Sequence, residues 1–142
     1  MSDAVRILFL CTHNSARSQM AEALLNTLGE GRFQAFSAGT EARGLHPLSI
    51  QAMAEMGIDI SLQRSKTLER FTGEHFDLLI TVCDEANEAC PYFPNARQRR
   101  HWSFPDPSRV TGDEDAQFAA FVAVRDAIRD RIEQELLEVR AG

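Results

Sequence analysis

An α/β domain built on a parallel sheet is the fold class this sequence predicts, and three observations predict it. Short, almost uninterrupted apolar runs alternate along the chain with longer segments of helical period. Gly and Pro fall at the joins between them. The 142 residues, 44% hydrophobic and 25% charged, suit one globular domain, 1–142, that buries its own core without disulfide or metal staples.

Val5 to Leu10 is the first buried strand, rich in β-branched and large apolar residues. Residues 17–28 place Met20, Ala21, Leu24, Leu25 and Leu28 at helical spacing and stop at Gly29. A second strand spans 33–37, closed by Ala38-Gly39. Residues 47–56 read as a helix opening with Pro47 and ending at Gly57, with Ile50, Met53 and Ala54 on one face. Phe76 to Val82 is a third strand, 84–90 a short helix, and Gln98 to Ser103 a weakly patterned last strand. Thr111 and Glu114 have capping-box spacing ahead of a final helix, whose apolar stripe is Phe118, Phe121, Val122, Ile128, Ile132 and Leu136. That stripe reads as a core-facing one.

Charge and composition exclude some functions. The net charge of -6 disfavours a nucleic-acid partner, because phosphate backbones are gripped by excess Lys and Arg. No apolar run reaches the roughly 18 residues of a membrane helix, and no signal peptide is visible, so a cytoplasmic protein with no membrane partner is expected. The three cysteines, Cys11, Cys83 and Cys90, are an odd count that fits no closed disulfide framework. Taken blindly, each is a buried thiol serving as a small hydrophobe. Taken in order, Cys11 and Cys83 each follow a strand, and so belong at the carboxyl edge of the sheet, where crevices form in α/β folds.

Cys11 opens the segment Cys11-Thr12-His13-Asn14-Ser15-Ala16-Arg17-Ser18 between the first strand and the first helix. Backbone N–H groups at a helix start, curled into a nest, bind tetrahedral oxyanions. Arg17 adds a two-pronged guanidinium grip. The same field favours the thiolate of Cys11, its nucleophilic form. Ser18 is placed to donate to that sulfur, Asn14 to brace the loop, and His13 to line the mouth. A bare Cys-x5-Arg is a weak signal; Cys-x5-Arg-Ser between a buried strand and an amphipathic helix is a strong one.

The stretch LFLCTHNSARSQMAEALLN resembles the start of the low-molecular-weight tyrosine phosphatase superfamily. The resemblance implies a four-stranded parallel sheet flanked by helices on both faces. It also implies a general acid from an Asp-Pro near the C-terminus, here Asp106-Pro107, with proline on both sides to stiffen the turn. The superfamily holds both phosphatases and arsenate reductases. Three features favour the reductases: Ser108 in place of an aromatic residue after Asp-Pro, Ala16 in place of a cysteine before Arg17, and the segment from Cys83 to Cys90-Pro91, which resembles their redox segment. Further similarity runs through Ser37 to Thr40, Gly57 to Ile60 and His101 to Ser108.

The resemblance to the reductases implies a relay. Cys11 attacks arsenate held by the 12–17 nest and Arg17, and Asp106 protonates the departing oxygen. Cys83 attacks Cys11 and releases arsenite; Cys90 attacks Cys83. No cofactor is bound; an external thiol, thioredoxin first among them, restores the dithiol. Were 83–90 one unbroken helix, its ends would lie about 10 Å apart, whereas a disulfide tolerates about 4.4–6.8 Å between Cα atoms. The segment therefore has to loop or unwind on oxidation. Some relatives hold a monovalent cation with residues matching Asn14, Glu22, Ser37 and an acid; the acid's position is Lys66 here, and its ammonium stands in for the cation against Glu22. The alternatives left open are a phosphatase acting on aryl phosphates and an oxyanion-binding sensor without turnover. No short CxxC or HxxxH spacing supports a metal site.

Overall fold

In the computed structural model, which describes residues 4–84 and 90–137, four strands form one sheet in the order β2-β1-β3-β4, with every pair parallel. The strands are β1 (Val5–Cys11), β2 (Phe33–Gly39), β3 (Phe76–Thr81) and β4 (Ala96–His101); the α-helices are α1 (Arg17–Leu28), α2 (Pro47–Ala54) and α3 (Glu114–Ile132). β1 is central and its last five residues are all buried, as expected of a parallel strand covered on both faces. Its side chains split by parity. Ile7, Phe9 and Cys11 join the core under α1, α2 and α3, whereas Leu8 and Leu10 join Phe71, Phe76, Leu79 and Phe93 on the opposite face. The 3-10 turn Leu68–Phe71 helps to cover that second face. Strand order reverses at β1, with β2 on one side and β3 on the other, so the switch-point crevice opens at the end of β1.

The expected elements that fall on described residues are present, several with shifted ends. β1 takes in Cys11 and β2 runs on through Gly39, because Cys11 and Gly39 are register partners at the sheet's edge. β3 stops at Thr81, one residue early. β4 starts two residues before the expected Gln98 and leaves out Trp102 and Ser103. It is an edge strand whose Arg97, Gln98, Arg99 and Arg100 carry no apolar alternation, the pattern that blunts an edge. α2 ends at Ala54, which is exposed; Ala52 takes its place beside Met53 in the core. The cap of α3 is Asp113, whose carboxylate accepts from Ala116 N at 2.9 Å, and not Thr111. Gly112, at φ 123°, turns the chain between the two. The α3 stripe also includes Val124, with Phe118 and Val122 only partly buried. Of the expected helix over 84–90, residues 85–89 lie outside the described residues.

No helix among the described residues is long and apolar enough to cross a membrane.

Candidate active site

Cys11 is the last residue of β1, 2% exposed, and its thiol is free. Its Sγ lies 2.8 Å from Ser18 Oγ, one helical step into α1. Between them the loop is pinned from outside. The carbonyls of Thr12, His13 and Ser15 accept from the amides of Glu41, Arg43 and His46, and that of Asn14 from Ser65 Oγ at 2.8 Å. Asn14 takes a left-handed φ of 47°, which asparagine tolerates better than most side chains. Its side chain is fully buried, accepts from Lys66 N at 2.7 Å and donates to Ser18 Oγ at 2.8 Å. Gly39 is required beside it: a Cβ there would come within 2.7–2.9 Å of Thr12 O, Cys11 O and Asn14 N, all backbone atoms with no room to give.

α1 begins at Arg17 with Ala16 at the cap position, which makes no side-chain capping bond. An uncapped N-terminus keeps its first N–H groups for a ligand. The Arg17 side chain is 3% exposed, donates to Phe104 O at 3.1 Å, and brings Nη2 to 3.8 Å from Asp106 Oδ2. Asp106 caps the turn Pro107–Arg109: its Oδ1 accepts from Ser108 N at 2.9 Å and from Ser108 Oγ at 2.7 Å, while Oδ2 faces the arginine. A cavity of about 560 Å³ opens beside Asp106, lined also by Thr12, His13, Ser15, Arg43, His46 and Arg109 among others. Thus Arg17 of the loop meets Asp106, distant in the chain, beside a mouth that Arg43 and Arg109 make basic in an acidic protein.

Cys83 is completely buried and bonded to Cys90, with 6.0 Å between their Cα atoms. That separation is shorter than the about 10 Å span of seven helical residues. β1 and β3 are register neighbours through Leu10 and Thr81, and Val82 N donates to Leu10 O at 2.8 Å. Cys11 therefore ends β1, and Cys83 follows two residues after the end of its neighbour β3, on the same edge of the sheet.

Glu22, Ser37 and Lys66 also meet: Ser37 Oγ donates to Glu22 Oε1 at 2.5 Å, and Lys66 Nζ lies 3.7 Å from the same oxygen while donating to Arg64 O. Burial pushes the Glu22 carboxyl above its ordinary value, against the pull of Lys66, and pushes the Lys66 ammonium below its own, against Glu22. Desolvation thus outweighs the attraction on both sides of the pair.

Sequence reasoning missed His46, Gln19 and Gln63. His46 caps α2, its Nδ1 accepting from Leu48 N at 3.1 Å, and its ring sits 4.6 Å from that of Phe121. Burial holds its imidazole below the ordinary value, against the opposing effect of Asp106. Its place before Pro47 was the available signal, since the residue preceding a first-turn proline is a cap. Gln19, fully buried, donates to Asn14 and Arg64; nothing in its neighbourhood in the sequence marks it.

The profile of the family described as low molecular weight phosphotyrosine protein phosphatase matches residues 6–141. The arsenate reductase of Bacillus subtilis strain 168 is 43% identical over 128 residues, 90% of this chain and 92% of that protein. Among solved structures, an arsenate reductase in the phosphate binding state superposes with a TM-score of 0.76 at 32% identity, covering 96% of this chain and 99% of that one. A thioredoxin-dependent arsenate reductase of Corynebacterium glutamicum gives 0.63 at 27% identity, covering 96% of this chain and 64% of that one.

Proposed function

Because this chain belongs to the low-molecular-weight phosphotyrosine protein phosphatase family, we propose that it reduces arsenate to arsenite through a relay of three cysteines, as one catalytic domain over 1–142. One observation carries this reading: a free Cys11 at the base of an oxyanion loop shares a sheet edge with the Cys83–Cys90 disulfide. Hydrolysis of a phosphate ester needs one thiol. Reduction of arsenic(V) to arsenic(III) takes two electrons, which two thiols supply by forming a disulfide.

Arsenate enters the mouth past His13 and lies in the loop formed by Thr12, His13, Asn14, Ser15, Ala16 and Arg17. The loop's carbonyls are engaged on the outside, so it offers its N–H groups to the oxyanion, and Arg17 grips two oxygens. Ser18 donates to the Cys11 thiolate. Cys11 forms a sulfur–arsenic bond as an arsenate oxygen leaves, taking its proton from Asp106. Cys83 then attacks the Cys11 sulfur. The sulfur–arsenic bond breaks with its electron pair on arsenic, arsenite departs, and a Cys11–Cys83 disulfide remains. Cys90 attacks Cys83 and returns Cys11 as a thiolate. The Cys83–Cys90 disulfide is the end state of this sequence, and Cys83 being wholly buried makes Cys90 the more accessible side of the bond.

An external dithiol, thioredoxin, restores the pair by exchange, so no cofactor needs to be bound. The cytoplasm, where such reductants are kept reduced, is the compartment this chemistry requires. In Cys83→Ser, arsenate reduction is lost while slow hydrolysis of an aryl phosphate continues, because the loop, Arg17 and Asp106 are intact. Loss of both activities, or of neither, contradicts the relay.

A further inference from the structure

A chain of side-chain hydrogen bonds with one fixed direction runs from the 58–66 connection to the Cys11 sulfur. Gln63 Nε2 donates to Gln19 Oε1 at 2.7 Å, Gln19 Nε2 to Asn14 Oδ1 at 2.8 Å, Asn14 Nδ2 to Ser18 Oγ at 2.8 Å, and Ser18 Oγ lies 2.8 Å from Cys11 Sγ. Gln19, Asn14 and Ser18 are fully buried, and Gln63 is half-buried.

Backbone groups set the direction. The amide of Lys66 can only donate, so the Asn14 atom 2.7 Å from it is the carbonyl oxygen, and the Asn14 NH2 must face Ser18. The carbonyls of Asn14 and Arg64 can only accept, at 3.2 and 2.9 Å, so the Gln19 NH2 faces them and its oxygen must accept from Gln63. With Asn14 donating to its oxygen, Ser18 has its single hydrogen left for the sulfur. Three amide dipoles and a hydroxyl are thus aligned with their positive ends toward Cys11, and aligned bonds polarise one another in a buried setting.

We infer that Gln63 and Gln19 are positioning residues for the nucleophile: acting through Asn14 and Ser18, they hold the hydrogen-bond polarity that stabilises the Cys11 thiolate. Neither touches the oxyanion. The inference rests on the reading of Cys11 as the nucleophile, and it adds that a residue of the 58–66 connection tunes that thiolate from four bonds away.

The test uses the full chain with Cys83 and Cys90 both changed to Ser, so that Cys11 is the sole thiol. Its rate of alkylation by iodoacetamide is followed against pH in Gln63→Leu and Gln63→Glu, with thermal melting as the check on folding. Leu removes the donor. Glu keeps the shape but, once ionised, only accepts, so it opposes the Gln19 oxygen. Both variants are expected to move the alkylation profile to higher pH, with the rate at about pH 6 falling about three-fold or more in Gln63→Leu and further in Gln63→Glu. The fall in Gln63→Glu persists in about 1 M salt, where a distant charge is screened within about 3 Å. An unchanged profile in both variants overturns the inference. So does a profile moved only by Leu, which marks packing, or only by Glu and erased by salt, which marks charge. Alkylation reads the thiolate whether or not the protein turns over arsenate, so this outcome is separate from the fate of the relay.

Discussion

Asp106 Oδ2 lies 3.8 Å from Arg17 Nη2, and both side chains are nearly sealed from solvent, at 9% and 3% exposure. The other Asp106 oxygen is occupied by Ser108, so the carboxylate is aimed rather than loose. Asp106→Asn keeps the shape and these contacts but has no proton to give. It is expected to lower kcat for arsenate about 100-fold while competitive inhibition by phosphate is unchanged or tighter, because Arg17 loses an anionic neighbour. Steady-state kinetics of the purified variant check this; a fall in anion affinity with kcat intact assigns Asp106 to binding.

Glu22 and Lys66 form a pair that burial penalises on both sides. Glu22, its folded value raised, adds stability in acid that is lost as pH rises through that value. Lys66, its folded value lowered, adds stability above its ordinary range that is lost as pH falls through the lowered value. Between those two folded values both groups are charged, and neither desolvation is fully offset. Lys66→Met alone therefore leaves a buried carboxylate and is expected to cost about 2 kcal/mol, while Glu22→Gln with Lys66→Met melts no lower than the parent. If the ammonium stands in for a cation, turnover is expected to be independent of added potassium. Denaturant titration and potassium-free kinetics are the measurements; a double variant weaker than Lys66→Met contradicts this reading of the pair.

His46 caps α2 through an unprotonated Nδ1, so protonation breaks the bond to Leu48 N and puts positive charge at a helix start. Its value is lowered in the fold, so it contributes stability above its unfolded value of about 6.5 that is lost as pH falls through the folded one. The groups facing it across the mouth are Asp106, His13, Arg43 and Arg109. His46→Asn, which keeps a capping oxygen and does not titrate, is expected to lose less of its Tm than the parent on acidification below about pH 6.5. Parallel Tm profiles for the two proteins contradict this.

How much of the fold and site was legible in the sequence depends on how local each feature is. The Cys11 to Ser18 loop was legible because a strand, a turn and a helix start are contiguous, and the chemistry of such a loop arises from its backbone. β4 was placed two residues late because an edge strand of Arg97, Gln98, Arg99 and Arg100 has no apolar period to read. The cap of α3 was misplaced because Asp113 and Thr111 are both good caps, and only the turn at Gly112 decides between them. The Gln63–Gln19–Asn14 chain was not legible at all. Gln63 is 44 residues from Gln19, and the fold alone brings them together. Lys66 was reached through the resemblance and not through its own neighbours; its packing against Glu22 is likewise a tertiary fact.

The most direct test of the relay is arsenate-dependent oxidation of NADPH by purified thioredoxin and thioredoxin reductase, with the parent chain and Cys90→Ser side by side. Steady turnover is expected for the parent. Cys90→Ser is expected to complete at most a single turnover, because Cys11 stays locked to Cys83. Sustained turnover by Cys90→Ser, or none by the parent with this reductant, contradicts the three-cysteine relay.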